Sequence, residues 1–465
     1  MLTAAWIVAF VLIIGIGIFS GKAISNSDQW SGADKKMGVF SIGCVLGAWQ
    51  IGGISIVGAA QNGYNFGIAA MWYSIGGSAY FLVCAILAKV LREGMPGDSA
   101  GIYMRDRYGR TLSRLYMIVY LIMAWIYIPI QLKTVSAVIR IVLTNVNGFW
   151  CMVIGLCIAA LYTGFAGMKG AAIVGKIVCF GIYILLILFV GMHLREFGGY
   201  SGLVSGLPAG YGSVFAGTMT PSYVFSLILG GFLSSSVMQS VLQPIMAAKD
   251  YKAARGGCLV GYVIGAPICI ITGIMGMMAY QVSKASLDNG STAFAWIVRE
   301  LSSPLFAGII FAIATMIIAA TMATQMMAAG TLMKNVYADF KSDAGDRTLL
   351  AISRWGTLIF AFASLIPALA IPSASLTTVF LTLVYGATCP FSFTIIFGLL
   401  WKKVNKTAAL WSAVVGLVVA AFWVFSGLNS SFCSVVYPTI LASYAVGILL
   451  TLTVKETDGS VRAGV

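Results

Sequence analysis

Charge is what this sequence has least of: only 14 of its 465 residues are Asp or Glu, one is His, and all charged residues together make up 9%. A water-soluble domain carries about 25% charged residues, so a soluble globular protein is excluded. A single histidine and no acid deep in an apolar stretch leave neither a nucleophile–base pair nor a carboxylate proton relay inside the hydrophobic segments, which speaks against an intramembrane enzyme. The nine cysteines are scattered, mostly within apolar segments (Cys44, Cys84, Cys157, Cys179, Cys258, Cys269, Cys389), and lack metal-ligand spacing. They read as small buried hydrophobes, with no metal and no cofactor implied.

What the chain has instead is apolar length. Hydrophobic residues make up 60%, and the mean hydropathy is +0.96. A window of about 19 residues finds a succession of stretches long enough to cross roughly 30 Å of hydrocarbon as helices. Thirteen are expected, near 3–20, 38–59, 66–91, 113–143, 149–166, 170–194, 221–242, 257–280, 303–333, 349–371, 376–400, 408–426 and 436–454. The first lacks a basic leader and a small-residue cleavage site, so it reads as a retained span. The fold class that follows is an all-α polytopic membrane protein.

The formal net charge of +14 lies in short loops between apolar spans rather than on one face, so a nucleic-acid partner is not implied. Placing the N-terminus outside puts most basic residues in the cytoplasm, among them Arg105, Arg107, Arg110, Arg114, Lys249, Lys252, Lys402 and Lys403, and leaves Arg195, Lys284 and Arg299 opposite. By the positive-inside rule this orients a multi-pass protein of the cytoplasmic membrane with its C-terminus inside. The tail reads as too short for a sensor or kinase domain.

Two spans five apart share an oddity: Gly52-Gly53 interrupts the second and Gly230-Gly231 the seventh. Paired interruptions point to inverted repeats whose broken helices meet near the midplane, although glycine also serves close helix packing.

At this point the sequence resembles the solute:sodium symporters. The resemblance is carried by "GAAQNGYNFG" after the second span, "LYTGFAGMKGA" between the fifth and sixth, "MAAKDYKAARGG" after the seventh, "TLMKNVYADF" closing the ninth, and "LLWKKVNKTAALWSAVVG" joining the eleventh to the twelfth. It implies a single transporter domain of the LeuT-type superfold working by alternating access. Residues 38–196 and 221–402 would form a five-plus-five inverted-repeat core, preceded by an extra helix and loop over 1–37 and followed by two helices and a tail over 403–465.

The resemblance also implies a sodium site built from backbone carbonyls of the broken second span and the ninth, with a hydroxyl pair one turn later. Hard oxygen ligands suit a hard cation. Alignment places the carbonyls on Ala48, Ile51 and Ile317 and the hydroxyl pair on Ala320-Thr321, so the first hydroxyl is missing. A one-residue shift would give Ala319-Ala320 and lose both; Thr324, one turn beyond Thr321, is a substitute oxygen. In the sixth span the family's "TD" is replaced by Val174-Gly175, followed by Lys176. Either Lys176 substitutes for the cation at the carbonyls, or it snorkels to the cytoplasmic surface. Na+ and H+ both stand as coupling ions.

Position nominates Gln50, Ser55, Gln131, Ser234, Ser235 and Gln239 for a substrate cavity, and polar groups this deep are expensive unless they face the core. Each has a plainer reading as a group that bonds or packs a neighbouring helix. Lys133 and Arg140 lie seven residues apart on the fourth span, roughly on one face. As an inward pair they would favour an anionic solute; the alternative is snorkelling at the outer surface. His193 reads as interfacial. The function expected is secondary-active transport of a small polar solute across the bilayer, with a transporter-derived solute sensor as the alternative. The paired breaks suit a gated site better than a channel.

Overall fold

The computed structural model describes residues 1–21, 27–95, 97–234, 236–341, 343–370 and 376–454. These residues are almost wholly helical, and among them the one extended pairing is an isolated bridge between Met37 and Ala248. The helices that build the site are α1 (Leu2–Gly21), α2 (Val39–Gln50), α3 (Ala59–Phe66), α4 (Arg110–Val142), α5 (Gly148–His193), α6 (Pro221–Ser234), α7 (Gln239–Met246), α8 (Ile268–Ser283), α9 (Pro304–Phe340) and α10 (Leu376–Thr388).

Nine of the described helices are long and apolar enough to cross a membrane, and the bent pair α6–α7 makes a tenth. Shorter apolar helices, Leu2–Ile16, Val39–Gln50 and Gly148–Leu161, stand where the first, second and fifth spans were expected. The expected fifth and sixth spans run together as α5, with a kink at Gly167, whose φ of 50° and ψ of −159° only glycine adopts without strain.

Local chemistry fixes the helix starts. Ser303 accepts from the Phe306 N–H at 3.4 Å with Pro304 at the first helical position, and Asn147 accepts from the Trp150 N–H at 3.0 Å. Both are standard ways of occupying the orphan donors of a first turn.

The centre of the bundle is α9, 78% of whose apolar window is buried, against 28% for both Asp346–Ala370 and Val436–Thr453 at the periphery. In lipid there is no hydrophobic drive to bring helices together, so close backbone approach must supply van der Waals contact. That is how α3 meets α8: a Cβ on Gly63 would lie 2.2 Å from the Gly273 carbonyl oxygen, and one on Gly276 would lie 2.0 Å from that of Ala60.

Contacts sort the helix ends into two mouths. At the N-terminal end the Thr3 hydroxyl donates to the Val142 carbonyl at 3.1 Å, and Gly308 of α9 packs on Leu2 and Ala5. At the opposite end Lys334 of α9 pairs with Asp98, Arg114 with Asp339 at 2.8 Å, and Lys169 with Asp34 at 3.3 Å.

The α3–α8 packing is checked by Gly276→Ala. It forces two backbones apart at an overpacking cost of about 1–3 kcal/mol, so the purified protein is expected to melt several degrees lower. Gly15→Ala in α1, where a Cβ meets nothing within 4 Å, is expected to leave the midpoint within error.

Candidate functional site

The site begins where α2 stops. A continuous helix would bond the Ser55 N–H to the Ile51 carbonyl, but that N–H bonds instead to the Gly52 carbonyl at 3.1 Å, and Ile51 takes a ψ of 51°. The chain resumes through a π-helical turn over Ile54–Gly58 into α3. The break falls on Gly52-Gly53 as expected, and it frees backbone groups in the membrane interior, where each must find a partner.

Two helices provide those partners. From α4, the Gln131 side-chain oxygen accepts from the Gly53 N–H at 2.8 Å while its amide nitrogen donates to the Tyr127 hydroxyl at 3.0 Å. Thr134 stands so close that a Cβ on Gly53 would lie 1.8 Å from its hydroxyl oxygen, so this position must be glycine. From α9, the Thr321 hydroxyl lies 2.9 Å from the Ala48 carbonyl and 3.0 Å from that of Ile317, in position to donate to either. A Cβ on Gly52 would lie 3.0 Å from the same hydroxyl.

The structure therefore gathers Ala48, Ile317 and Thr321, with Ile51 at the adjoining helix end. Ala320 supplies no side-chain oxygen. Thr324 is buried and donates back to the Ala320 carbonyl at 2.9 Å. Lys176 lies elsewhere: its ammonium sits over the Phe40 ring, 5.7 Å from the centroid. Phe40 precedes Ala48 by eight residues, about 12 Å along a helix at 1.5 Å per residue. The side chain thus extends toward the start of α2.

The second break differs from the expected position. Helix α6 runs through Gly230 and Gly231 to Ser234, and the chain turns before α7 begins at Gln239, the two axes differing by 48°. Gly230 serves packing, because a Cβ there would lie 2.5 Å from the Tyr385 ring of α10, whereas one on Gly231 would make ordinary contact, 3.4 Å from the carbonyl oxygens of Gly76 and Gly77. Ser235 lies outside the described residues.

Between the breaks is a cavity of about 20 Å³ lined by Gln50, Ser55, Gln131, Ser234 and a set of aromatic residues. That is room for about one water molecule. Gln50 accepts from the Tyr80 hydroxyl, and the Ser55 hydroxyl donates to the Gln50 carbonyl at 2.6 Å. Gln239 points away from this cavity: it donates to the Asp98 carbonyl at 2.6 Å and accepts from the Ala100 N–H at 3.2 Å, tying α7 to the loop at the opposite end. Sequence reasoning missed Trp49, Tyr73, Tyr80, Tyr127 and Tyr385, all of which line the cavity. Aromatics in apolar spans look like core. The available signal was hydroxyls where phenylalanine would serve, as at Tyr127, four residues and one turn before Gln131.

Two larger cavities flank the site. One of about 600 Å³ opens at the opposite end beside Asp98, Gln243 and Lys334. The other, of about 520 Å³, opens at the N-terminal end and is lined by Lys133, Thr134, Ser136 and Arg140. The central cavity shares no lining residue with either of them.

The profile of the sodium:solute symporter family matches residues 31–416. The chain belongs to that family. Among curated relatives it is 23% identical over 431 residues to the high-affinity proline transporter PutP of Bacillus subtilis (strain 168), covering 89% of this chain and 90% of that one. It is also 23% identical over 374 residues to the monocarboxylate transport permease protein of Rhizobium johnstonii, covering 75% and 74%. A Na+-coupled sialic acid symporter in a substrate-bound outward-open state matches with a TM-score of 0.79 at 13% identity, over 97% of both chains. A nucleobase-cation-symport-1 family transporter in a closed conformation matches at 0.64 and 14% identity, over 91% and 92%. The symporter family membership makes this chain a multi-pass secondary transporter of a small-molecule solute, with the LeuT-type fold that the resemblance implied.

Gln131→Leu tests the clamp on the first break. It leaves the Gly53 N–H buried and unpaired at a cost of about 1–3 kcal/mol, and is expected to lower the melting midpoint more than Tyr127→Phe, which removes a partner of the amide nitrogen but keeps the Gly53 N–H paired. Equal melting of the two variants would contradict the clamp.

Proposed function

We propose that this symporter takes up a small polar solute through the cytoplasmic membrane by alternating access, with the N-terminus outside and thirteen spans, and with residues 38–196 and 221–402 as the two repeats. The observation that carries this reading is the narrow cavity between the breaks, about 20 Å³, set apart from two larger cavities on opposite ends. A cavity with room for one water cannot admit a solute until one mouth opens, and a transporter exposes such a site to one side at a time.

The coupling ion follows from the oxygens. Thr321 with the carbonyls of Ala48, Ile51 and Ile317 offers fewer ligands than the family pattern, and the Thr321 hydroxyl already lies within hydrogen-bonding distance of two of those carbonyls. An arriving sodium ion must displace that hydrogen bond and lacks the oxygen that a hydroxyl at position 320 would provide. On this reading sodium binds weakly and drives transport only in part, and proton coupling or uncoupled uptake accounts for the rest. Lys176, stacked on Phe40, stands clear of the carbonyls.

The named substrates of relatives supply the first panel: proline, monocarboxylates and sialic acid. In proteoliposomes at least one of them is expected to accumulate, with uptake falling less than about tenfold when choline replaces sodium, at the low end of the roughly 5–150-fold coupling typical of linked sites. Strict sodium dependence would overturn the weak-coupling reading, and a solute that binds without accumulating would favour a sensor.

Ala320→Ser restores the absent oxygen. Ligand that binds the folded state raises stability in proportion to RT ln(1 + [L]/Kd), so sodium is expected to raise the melting midpoint of this variant more than that of the wild type. An unchanged response would contradict the assignment of the ion site.

A further inference from the structure

The cavity at the N-terminal end holds two cations that the transport cycle described so far does not use. Lys133 and Arg140 both line its wall of about 520 Å³. They stand seven residues apart on α4, two turns along one face. Neither makes a hydrogen bond or ion pair among the described residues, and no acidic side chain is among those that line the cavity. Asp288, three residues from Ser291 in that wall, pairs with neither. Polar neighbours are already engaged: the Ser136 hydroxyl donates to the Gly148 carbonyl at 2.9 Å, and the Gln61 amide donates to the Asn289 carbonyl at 3.1 Å.

Lys133 is half-buried and Arg140 is exposed in the last turn of α4, so both present their charge to the cavity. A cleft walled by one sign of charge concentrates counter-ions and raises their arrival rate. The guanidinium adds a planar fork that matches a carboxylate, and the ammonium adds a mobile point charge. The floor of this cavity is Thr134, the residue that presses on Gly53, and Gln131, three residues earlier on α4, lines the central cavity beneath. Whatever the two cations hold therefore sits directly over the break through which the central cavity must open.

We propose that Lys133 and Arg140 form an entry site for a small carboxylate, which is captured there before the helix break opens and admits it to the central cavity. This names the solute class, and it rests on the transport reading above. Lys133 lies nearer the break and Arg140 nearer the mouth, so the carboxylate is handed inward from guanidinium to ammonium.

A thiol between the two cations reads the site without knowledge of the transported solute. Ala137→Cys places one on the same wall, in a chain carrying Cys157→Ala and Cys433→Ser to remove the partly exposed native thiols. Modification of the purified full-length protein is timed with anionic sulfonatoethyl methanethiosulfonate and with its cationic trimethylammonioethyl counterpart. The anionic reagent is expected to react at least about tenfold faster relative to each reagent's rate on free cysteine, the lower end of what a one-sign cleft gives. That preference is expected to vanish in Lys133→Gln/Arg140→Gln, to persist in Lys133→Arg, and to be slowed competitively by millimolar lactate or acetate but not by lactamide. Arg140→Gln alone, at an exposed position, gives an intermediate preference even if the double variant fails to fold. Equal rates for the two reagents, a preference indifferent to Arg140→Gln, or no protection by either carboxylate would overturn the entry site. If the preference and protection hold but no solute accumulates in proteoliposomes, the transport reading fails and the binding site stands; if a neutral solute accumulates while the preference is absent, the reverse is true.

Discussion

A helix that stops inside hydrocarbon frees N–H and C=O groups that water cannot reach, and everything at the centre of this protein is arranged around settling that debt. The Gly53 N–H goes to Gln131 of α4, and the Ala48 carbonyl goes to Thr321 of α9. Both partners are side chains on other helices, so the break cannot change shape unless those helices move relative to α2. Backbone satisfaction and conformational coupling are thus the same contacts. Glycine at 52 and 53 is what lets Thr321 and Thr134 come close enough, and Ser55, Gln50 and Tyr80 extend the network into the cavity wall.

On the proposed reading, the same contacts connect a cation site to a solute site. Gln131 touches both the break and the central cavity, while Thr321 reaches the carbonyls that a cation would share. A cation at those carbonyls would repel the Thr321 proton, turning the hydroxyl so that its oxygen faces the ion, and would release the Ala48 carbonyl at the break. With Ala320 in place of a hydroxyl, fewer oxygens share that cation, and the energy available for coupling shrinks accordingly. Closure at the opposite end is polar: Asp98 pairs with Lys334, accepts from Asn335 at 3.1 Å and from Ser31 at 3.2 Å, and its backbone is held by Gln239. Such a cluster opens to water at less cost than an apolar seal, because each of its members is well solvated when released.

Much of this was legible in the sequence, for physical reasons. Apolar runs of membrane length have one reading, and a glycine pair in mid-span with polar residues on both sides marked the first break. The ion-site carbonyls and Thr321 came from the resemblance, and the geometry gathers Ala48, Ile317 and Thr321 with Ile51 alongside. The second break was displaced because glycine signals two things alike, a loosened backbone and a close approach, and at Gly230 the ring of Tyr385 uses the second. Gln239 was assigned to the cavity by its neighbours in sequence, yet the turn before α7 points it toward Asp98 instead. The tyrosines of the cavity were hidden among core aromatics, since a hydroxyl does not change the apolar pattern of a helix. The ambiguity over Lys176 lay in side-chain direction, and its ammonium sits over the Phe40 ring.

The central claim is that one closed site is exposed to the two ends in turn. Spin-label pairs across each mouth test it most directly: Ala137 with Ser291 at the N-terminal end and Ile102 with Leu349 at the other, all of them wall residues of the flanking cavities. With distances measured by double electron–electron resonance in lipid nanodiscs, adding an accumulated solute is expected to shift the two distributions in opposite directions, one mouth widening as the other narrows. Both mouths widening together, or neither moving while solute crosses the membrane, would contradict the account.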